Sequence, residues 1–251
     1  MKKITILLVA SLLCCTLETY ALNVVPTRQE ITKKPGRSQK GAYTVTNDTS
    51  EEQVVTVSTK DWFIAGENKQ FTCDTWLKAY PQQFVLKPGE SKRVKFKAKI
   101  PREAKGALFA MISLASKSTR VEMLSVVISV PVFVIIKGTE KYAGALGMVK
   151  FAKDDTNLQA SVEVSNNGNV HLRPKGTLVL KSQGNGDVEI ALPETRPVYP
   201  GTSRTSIGNV PLDTVAEGEY AAYVSIMSGT LQLHTTAQVR INGDKTISIN
   251  Q

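Results

Sequence analysis

The sequence predicts an all-β protein that is built from two copies of one module. Apolar and polar residues alternate with a period of two along most of the chain, which is typical of strands with one buried face. After residue 21, no stretch keeps helical spacing for three turns. The same landmark residues also occur twice in the same order, which indicates an internal repeat.

The first 21 residues have the pattern of a secretory signal peptide. Two lysines precede an apolar stretch, and TYA at 19–21 places small residues at the third and first positions before a cut. We therefore expect cleavage after Ala21 and export of the mature chain. A lipid anchor at Cys14 or Cys15 is the weaker alternative, because neither cysteine follows a small residue. No later apolar stretch is long enough to cross a bilayer, so we expect no transmembrane anchor.

Cys73 is the only cysteine of the expected mature chain, so no internal disulfide can form. A buried or semi-buried thiol is one interpretation, and a reactive or intermolecular thiol is the other. Stability then has to come from the burial of apolar surface, and the chain is long enough to bury it in two ordinary domains.

Three landmarks define the repeat: an asparagine that ends a strand, a Pro-Gly turn with a serine and a basic residue, and a glycine that opens an apolar strand. In the first copy they are Asn47, PGESK at 88–92 and Gly106. In the second copy they are Asn166, PGTSR at 200–204 and Gly218. In both copies 18 positions separate the proline of the turn from the glycine. We therefore expect two immunoglobulin-like β-sandwich domains, at residues 22–138 and 139–251.

The alternation places the strands of each copy. In the first copy we expect them near 23–31, 41–47, 53–60, 92–100, 107–115 and 123–136. In the second copy we expect them near 146–152, 158–165, 176–181, 187–192, 203–209, 219–227 and 231–241. A linker with two glycines is expected around 137–145.

The two halves carry different charges. Residues 22–139 hold 19 Lys and Arg against 10 Asp and Glu, whereas residues 140–251 hold 10 against 11. One strand of the basic half is expected to point a row of cations outward: Arg93, Lys95, Lys97 and Lys99. The row could be a solvated strand guarded against pairing with another sheet, or an electrostatic surface for an acidic client, an outer-membrane partner or an anionic polymer. No aromatic residues interleave with these cations, so we expect no nucleic acid partner.

The sequence contains no catalytic or metal-binding motif. It lacks a Gly-x-Ser-x-Gly elbow, a metal-binding histidine pair and a phosphate-binding glycine loop. The only histidines, His171 and His234, have no cysteine or carboxylate at ligand spacing. We expect no cofactor, no metal and no enzymatic activity, and a hydrolase assembled from distant residues is the weakest alternative.

The most apolar segment is LSVVISVPVFVIIKG at residues 124–138. It is too short for a membrane span, which takes about 20 apolar residues, so we expect a strand. Proline has no amide to donate and is confined in sheets to edges, strand starts or bulges, so Pro131 predicts an edge. Even positions share one face and odd positions the other, and the sequence leaves open which face would meet a partner. The alternative is an ordinary closing strand, buried by the sandwich and by the domain interface.

Together these features resemble the periplasmic pilus-assembly chaperones of the PapD type. The resemblance rests on two immunoglobulin-like domains after a signal peptide, Thr27-Arg28 in VVPTRQEIT, Asn47 after a strand, Asp61-Trp62 at the end of VVTVSTKDW, and the stretch FVLKPGES. It covers the first domain and extends to the second only in architecture. It implies a chaperone that donates an apolar edge strand to subunits that lack one.

The resemblance also implies the binding residues. Arg28 would hold the C-terminal carboxylate of a subunit, which a guanidinium can grip with two hydrogen bonds, whereas an ion pair with Glu30 is the alternative. The family's second carboxylate anchor, a lysine late in the seventh strand, is absent from Pro131-Val132-Phe133, and Lys137 lies four positions later. The residues expected to contact the client are Arg28, Val126, Ile128, Val130, Val132, Val134 and Ile136.

The expected partners are pilus or fibre subunits, with an outer-membrane usher as a further candidate. An uncovered apolar edge could also cap itself in a homodimer. The alternative function is a non-catalytic structural or adhesive cell-envelope protein of two immunoglobulin-like modules, in which Arg28 need hold no carboxylate.

Overall fold

The computed structural model describes residues 22–63, 68, 70–119, 125–182, 184, 186–243 and 245–250. The expected signal peptide, with the alternative of a lipid anchor, lies outside the described residues, as does Leu124 at the start of the apolar run. Within those ranges most residues lie in strands, so the all-β prediction is confirmed.

The first half of the chain forms a sandwich of two sheets, with strand orders β1-β3-β7-β5 and β2-β9-β8-β4-β6. The strands are β1 (Leu22–Val25), β2 (Gln29–Lys33), β3 (Ser38–Asn47), β4 (Gln53–Phe63), β5 (Leu77–Tyr80), β6 (Gln83–Leu86), β7 (Ser91–Lys99), β8 (Ala107–Ser118) and β9 (Ser125–Ile136), and a short helix, α1 (Cys73–Trp76), precedes β5. The sequence pattern misses β5 and β6, because four residues on either side of a turn carry too little alternation.

The single strand predicted over 23–31 is two strands in the structure. β1 pairs antiparallel with β3, whereas β2 pairs parallel with β9 in the opposite sheet. The chain changes sheets at Pro26-Thr27-Arg28, after a cis Val25-Pro26 bond. Because proline has no amide for the ladder, strand pairing is interrupted there. The change of sheet places Arg28 immediately before β2.

The second half forms another sandwich, with strand orders β10-β11-β14 and β13-β12-β15-β16-β17. Its strands are β10 (Gly144–Lys153), β11 (Asn157–Asn166), β12 (Lys175–Lys181), β13 (Val188–Leu192), β14 (Ser203–Pro211), β15 (Gly218–Ser228), β16 (Leu231–Ile241) and β17 (Ile247–Asn250), and Leu212–Thr214 form a 3-10 turn. All seven strands predicted for this half are present, and β17 is additional. Each sandwich is filled by its own apolar core.

A buried asparagine closes a turn at the end of β3. The Asn47 side chain donates to the carbonyls of Glu51 and Leu86 at 2.7 and 3.1 Å, and it accepts from the Thr49 amide at 3.0 Å. The Asn47 carbonyl accepts from the amide of Gly89, at a φ of 72° that favours glycine. One side chain therefore joins the end of β3 to two other segments.

The second module contains the same arrangement around Asn166. Its side chain donates to the carbonyls of Val170 and Val198 at 2.7 and 2.8 Å, and it accepts from the Gly168 amide at 2.9 Å. The Asn166 carbonyl accepts from the amide of Gly201, whose φ is 74°. The repeat of asparagine and Pro-Gly turn in the sequence is therefore also a repeat of hydrogen bonds.

Aromatic side chains from both modules meet between the two sandwiches. Phe133 stacks on His171 with ring centroids 4.6 Å apart, and Phe63 stacks on Tyr199 at 4.5 Å. Phe109 lies edge-on to His171 and Tyr199. Phe133 is an odd-numbered residue of β9. The second module therefore covers the odd face of β9 near the C-terminal end of this strand.

The connection between the modules is held from both sides. Asn169 donates to the Thr139 carbonyl at 2.9 Å and accepts from the Lys141 amide at 2.6 Å. The Gly106 amide donates to the Thr139 hydroxyl at 2.8 Å. Gly106 has a φ of +67°, and a Cβ at this position would lie 2.4 Å from the Asn169 carbonyl oxygen. Only glycine fits this approach of the two modules.

Replacement of either turn asparagine should destabilise the protein. Asn47→Ala or Asn166→Ala leaves buried backbone groups without partners, which costs about 2–4 kcal/mol of the free energy of unfolding. Urea denaturation measures the loss. The control is Asn209→Ala, because Asn209 is exposed and its side chain accepts one hydrogen bond, from Gln159. Equal stability of the control and the two variants would contradict the role assigned to the turns.

The stability of the protein should also fall in mild acid. Burial lowers the pKa of His171 from 6.5 to about 4. The unfolded chain therefore takes up this proton at a higher pH than the folded protein, so stability is full above pH 6.5 and declines as the pH falls towards 4. The total loss is about 3 kcal/mol. Urea denaturation at several pH values measures the free energy of unfolding. Its decline towards low pH should be shallower for His171→Gln than for the wild type, and unchanged for the control His234→Gln, which replaces an exposed histidine.

Candidate functional site

Strand β9 is paired along its whole length on one side only. It pairs with β8 from Ser125 to Ile135, whereas β2 covers only Val132 to Ile136 on the other side. Among the described residues, no strand pairs with this second side of residues 125–131. We call this stretch the open edge. It is the edge that Pro131 predicts.

Two hydrogen bonds at the C-terminal end of β9 show which of its backbone groups point to the open edge. The Ile136 amide donates to the Gly106 carbonyl on the β8 side, and the Lys137 amide donates to the Lys33 carbonyl on the β2 side. Backbone groups of alternate residues point to the same side of a strand. The backbone N–H and C=O groups of even residues therefore point to β8, and those of odd residues point to the open edge. The odd non-proline residues of the open edge are Ser125, Val127 and Ser129.

Pro131 lies where the open edge ends and β2 begins. As an odd residue it would point its amide to the open edge, and proline has none. The Pro131 carbonyl accepts a hydrogen bond from the Tyr43 hydroxyl at 2.9 Å. Burial raises the pKa of Tyr43, so its hydroxyl stays a proton donor at physiological pH. Pro131 thus has neither a free donor nor an unbonded carbonyl at this position.

The even side chains of β9 differ in exposure along the strand. Val126 and Ile128 are half-buried at the open end. The others are buried in the core of the first sandwich: Val130, Val132, Val134 and Ile136. Contact of these four with a client stays a prediction. On the odd face, Val127 is 54% exposed and forms the largest apolar surface of the open edge.

Arg28 is positioned by the start of β2. Since β2 begins opposite Val132, Arg28 lies at the end of the open edge. Its Nε lies 3.2 Å from Oε1 of Glu30, and its Nη2 lies 3.7 Å from Oε1 of Glu194 in the second module. The ion pair with Glu30 is therefore present in the structure. Binding of a client carboxylate by Arg28 stays a prediction.

A second arginine lies beside Arg28. Arg173 donates from Nε to Oε1 of Glu30 at 2.8 Å, and its Nη1 lies 3.6 Å from Oε1 of Glu194. Its guanidinium lies over the Phe133 ring, 5.2 Å from the centroid. Lys137 is at the far end of β2, because its amide bonds to Lys33. Arg173, not Lys137, is the cation that accompanies Arg28.

The predicted row of outward cations is present on β7: Arg93, Lys95, Lys97 and Lys99. Lys97 lies directly opposite Lys40 on β3 and Lys78 on β5, and such like-charged pairs destabilise a sheet. β3 pairs with all of β7, whereas β5 pairs only with Lys95–Ala98. Protection of a sheet edge can therefore account for Arg93 but not for Lys95 and Lys97, which have strands on both sides. An electrostatic surface for an anionic partner stays a prediction.

Other chemical features are sparse in the described part of the chain. Cys73 is buried, and burial is the main cause that raises the pKa of its thiol. No group of three His, Cys, Asp or Glu side chains there is arranged to hold a metal ion. None of the helices that the structure describes has the length and hydropathy of a membrane span.

Sequence reasoning did not single out Arg173, Glu194 or Tyr43. Arg173 and Glu194 lie in loops of the second module, where no periodicity marks them. They reach Arg28 only because the two modules pack together. In the sequence Tyr43 is indistinguishable from an ordinary core residue, and its hydrogen bond to Pro131 joins the two sheets of the first sandwich.

No protein-family model and no curated protein matches the chain. Solved structures do. The class 5 fimbriae chaperone CfaA matches with 16% identity and a TM-score of 0.47, over 86% of this chain and 98% of that one. The E. coli chaperone DraB has 17% identity and a TM-score of 0.43 over 86% and 98%, and the Pseudomonas aeruginosa CupB2 chaperone has 11% and 0.44 over 91% and 97%. The solved structures to which this chain is similar thus include chaperones, one of them of class 5 fimbriae.

Proposed function

We propose that the protein is a non-catalytic periplasmic chaperone that binds exported pilus or fibre subunits by strand addition. The observation that carries the proposal is the open edge at residues 125–131, which ends beside Arg28. A client strand would pair with the odd backbone groups of β9 and cover an edge that otherwise stays exposed. Residues 22–138 and 139–251 would act as two domains with the client site at their junction.

The position of Arg28 favours one direction for the added strand. β2 runs parallel to β9 and begins where the open edge ends, so an added strand would lie in line with β2. A parallel client strand would bring its C-terminus to Arg28, whereas an antiparallel one would bring its N-terminus. A guanidinium attracts a carboxylate and repels an amino group. We infer a parallel client strand whose terminal carboxylate binds Arg28.

Val126 and Ile128 are the side chains best placed to enter a client, because they are half-buried at the open end. The deeper even residues would hold the strand against the core of the first sandwich: Val130, Val132, Val134 and Ile136. Delivery to an outer-membrane usher, and self-capping of the open edge in a homodimer, are further parts of the proposal. A structural or adhesive envelope protein remains the alternative function, since it would keep the fold without strand addition.

Removal of one edge amide should abolish client capture. Val127→Pro deletes an amide that points to the open edge and leaves the hydrogen bonds to β8 intact. The tagged variant should therefore fold normally and lose co-purifying secreted subunits from a periplasmic extract. Mass spectrometry identifies the subunits, and circular dichroism checks the fold. Val127→Thr keeps the amide and is the matched control. If both variants capture the same proteins as the wild type, strand addition is wrong and the envelope function is favoured.

Loss of the guanidinium at the end of the open edge should weaken capture without affecting the fold. Arg28→Gln is expected to lower the affinity for an identified subunit about tenfold, because a charge-assisted hydrogen bond is lost. Arg28→Lys should lose less, since it keeps the charge without the bidentate geometry. Titration calorimetry measures the change. Arg37→Gln replaces an exposed arginine elsewhere in the first module and should bind normally. An affinity of Arg28→Gln equal to that of this control would exclude Arg28 as the anchor.

A further inference from the structure

Four charged side chains from both modules converge at the end of the open edge. Arg28 and Glu30 belong to the first module, and Arg173 and Glu194 belong to the second. Each arginine lies within 4 Å of both carboxylates, with nitrogen-to-oxygen distances of 2.8, 3.2, 3.6 and 3.7 Å. The four formal charges cancel. The two arginines could bind a carboxylate of a partner, but in this structure they are paired with the protein's own Glu30 and Glu194.

Arg173 is held in place by three contacts besides Glu194. Its amide donates to the Ser228 hydroxyl at 2.7 Å, its Nε donates to Glu30 at 2.8 Å, and its guanidinium lies over the Phe133 ring. Its side chain is only 15% exposed. A guanidinium fixed in this way loses little conformational freedom when it binds a further ligand.

The two carboxylates are held with different strength. Oε1 of Glu30 receives a hydrogen bond from Arg173 at 2.8 Å and lies 3.2 Å from Nε of Arg28. Glu194 lies 3.6 and 3.7 Å from its two arginines, beyond the usual length of a charge-assisted hydrogen bond. The two carboxylates are about equally exposed, at 39% for Glu30 and 41% for Glu194, so the distances distinguish them. An exposed ion pair at such distances contributes little. Glu194 is therefore the more weakly held of the two carboxylates.

We propose that Arg28 and Arg173 form one carboxylate site across the two modules, and that Glu194 occupies this site in the free protein as an internal competitor. The inference rests on the proposed function, because the incoming carboxylate is the C-terminus of the client strand. Arg173 supplies the second cation, from the second module instead of from β9. A client carboxylate takes the place of Glu194, and the neutral balance of charges is kept.

The test uses an N-acetylated Val-Thr-Val-Thr-Val-Thr-Val peptide, in one form with a free C-terminal carboxylate and in another with a C-terminal amide. Both forms can add a strand to the open edge, and only the first brings a carboxylate to the two arginines. The ratio of their dissociation constants, measured by NMR titration of the full chain, isolates the carboxylate site. For the wild type we expect the acid to bind about tenfold more tightly than the amide.

The variants should move this ratio in opposite directions. Arg173→Gln should bring the ratio close to one, and Arg173→Lys should give an intermediate value if the glutamine variant does not fold. Glu194→Gln should raise the ratio about threefold, because the competitor is lost. The control is Glu219→Gln, which removes another exposed glutamate from an ion pair, with Arg240 at 3.4 Å, and should leave the ratio unchanged.

The outcomes separate the two proposals. If acid and amide bind equally to the wild type, the carboxylate site is wrong and strand addition stands. If the ratio differs from one in the wild type but Glu194→Gln leaves it unchanged or lowers it, Glu194 is not a competitor. If neither peptide binds, strand addition itself fails, and the carboxylate site that rests on it fails as well.

Discussion

The register between β2 and β9 is the constraint on which the candidate site depends. β2 covers only the last five residues of β9, so the first part of the strand keeps one unpaired side. The same register puts Arg28 at the end of that side. The change of sheets at Pro26-Thr27-Arg28 causes both effects, because it shortens the strand that would otherwise run along β9. An uninterrupted first strand would close the edge and move the arginine.

Packing of the two modules against each other turns this edge into a defined site. Phe133 on the odd face of β9 stacks on His171 of the second module. The hydrogen bonds that Thr139 makes with Gly106 and Asn169 hold the segment between the modules. Loops of the second module then reach the end of the open edge, where Glu30 accepts from Arg173. This ion pair joins a carboxylate of the first module to an arginine of the second at the end of the open edge.

Local sequence signals predicted most of the fold and one part of the site. The period of two gave the strands, and Asn47 and Asn166 marked a repeat that the hydrogen bonds reproduce. Pro131 indicated an edge because its chemistry is local. The contribution of Arg173 was not predictable in this way, since it depends on contact between residues 143 positions apart in sequence, Glu30 and Arg173. The break after β1 was missed although the sequence marks it: Pro26 lacks an amide, and residues 26–30 contain no apolar alternation.

The hydrogen bond between Tyr43 and Pro131 has a consequence for the register of an added strand. It removes the last carbonyl of the open edge, and proline removes the last amide, so a partner strand meets a fixed stop. A slip of one residue would turn every side chain of an added strand to the opposite face. A stop at Pro131 would therefore set the register of an added strand, whatever its side chains.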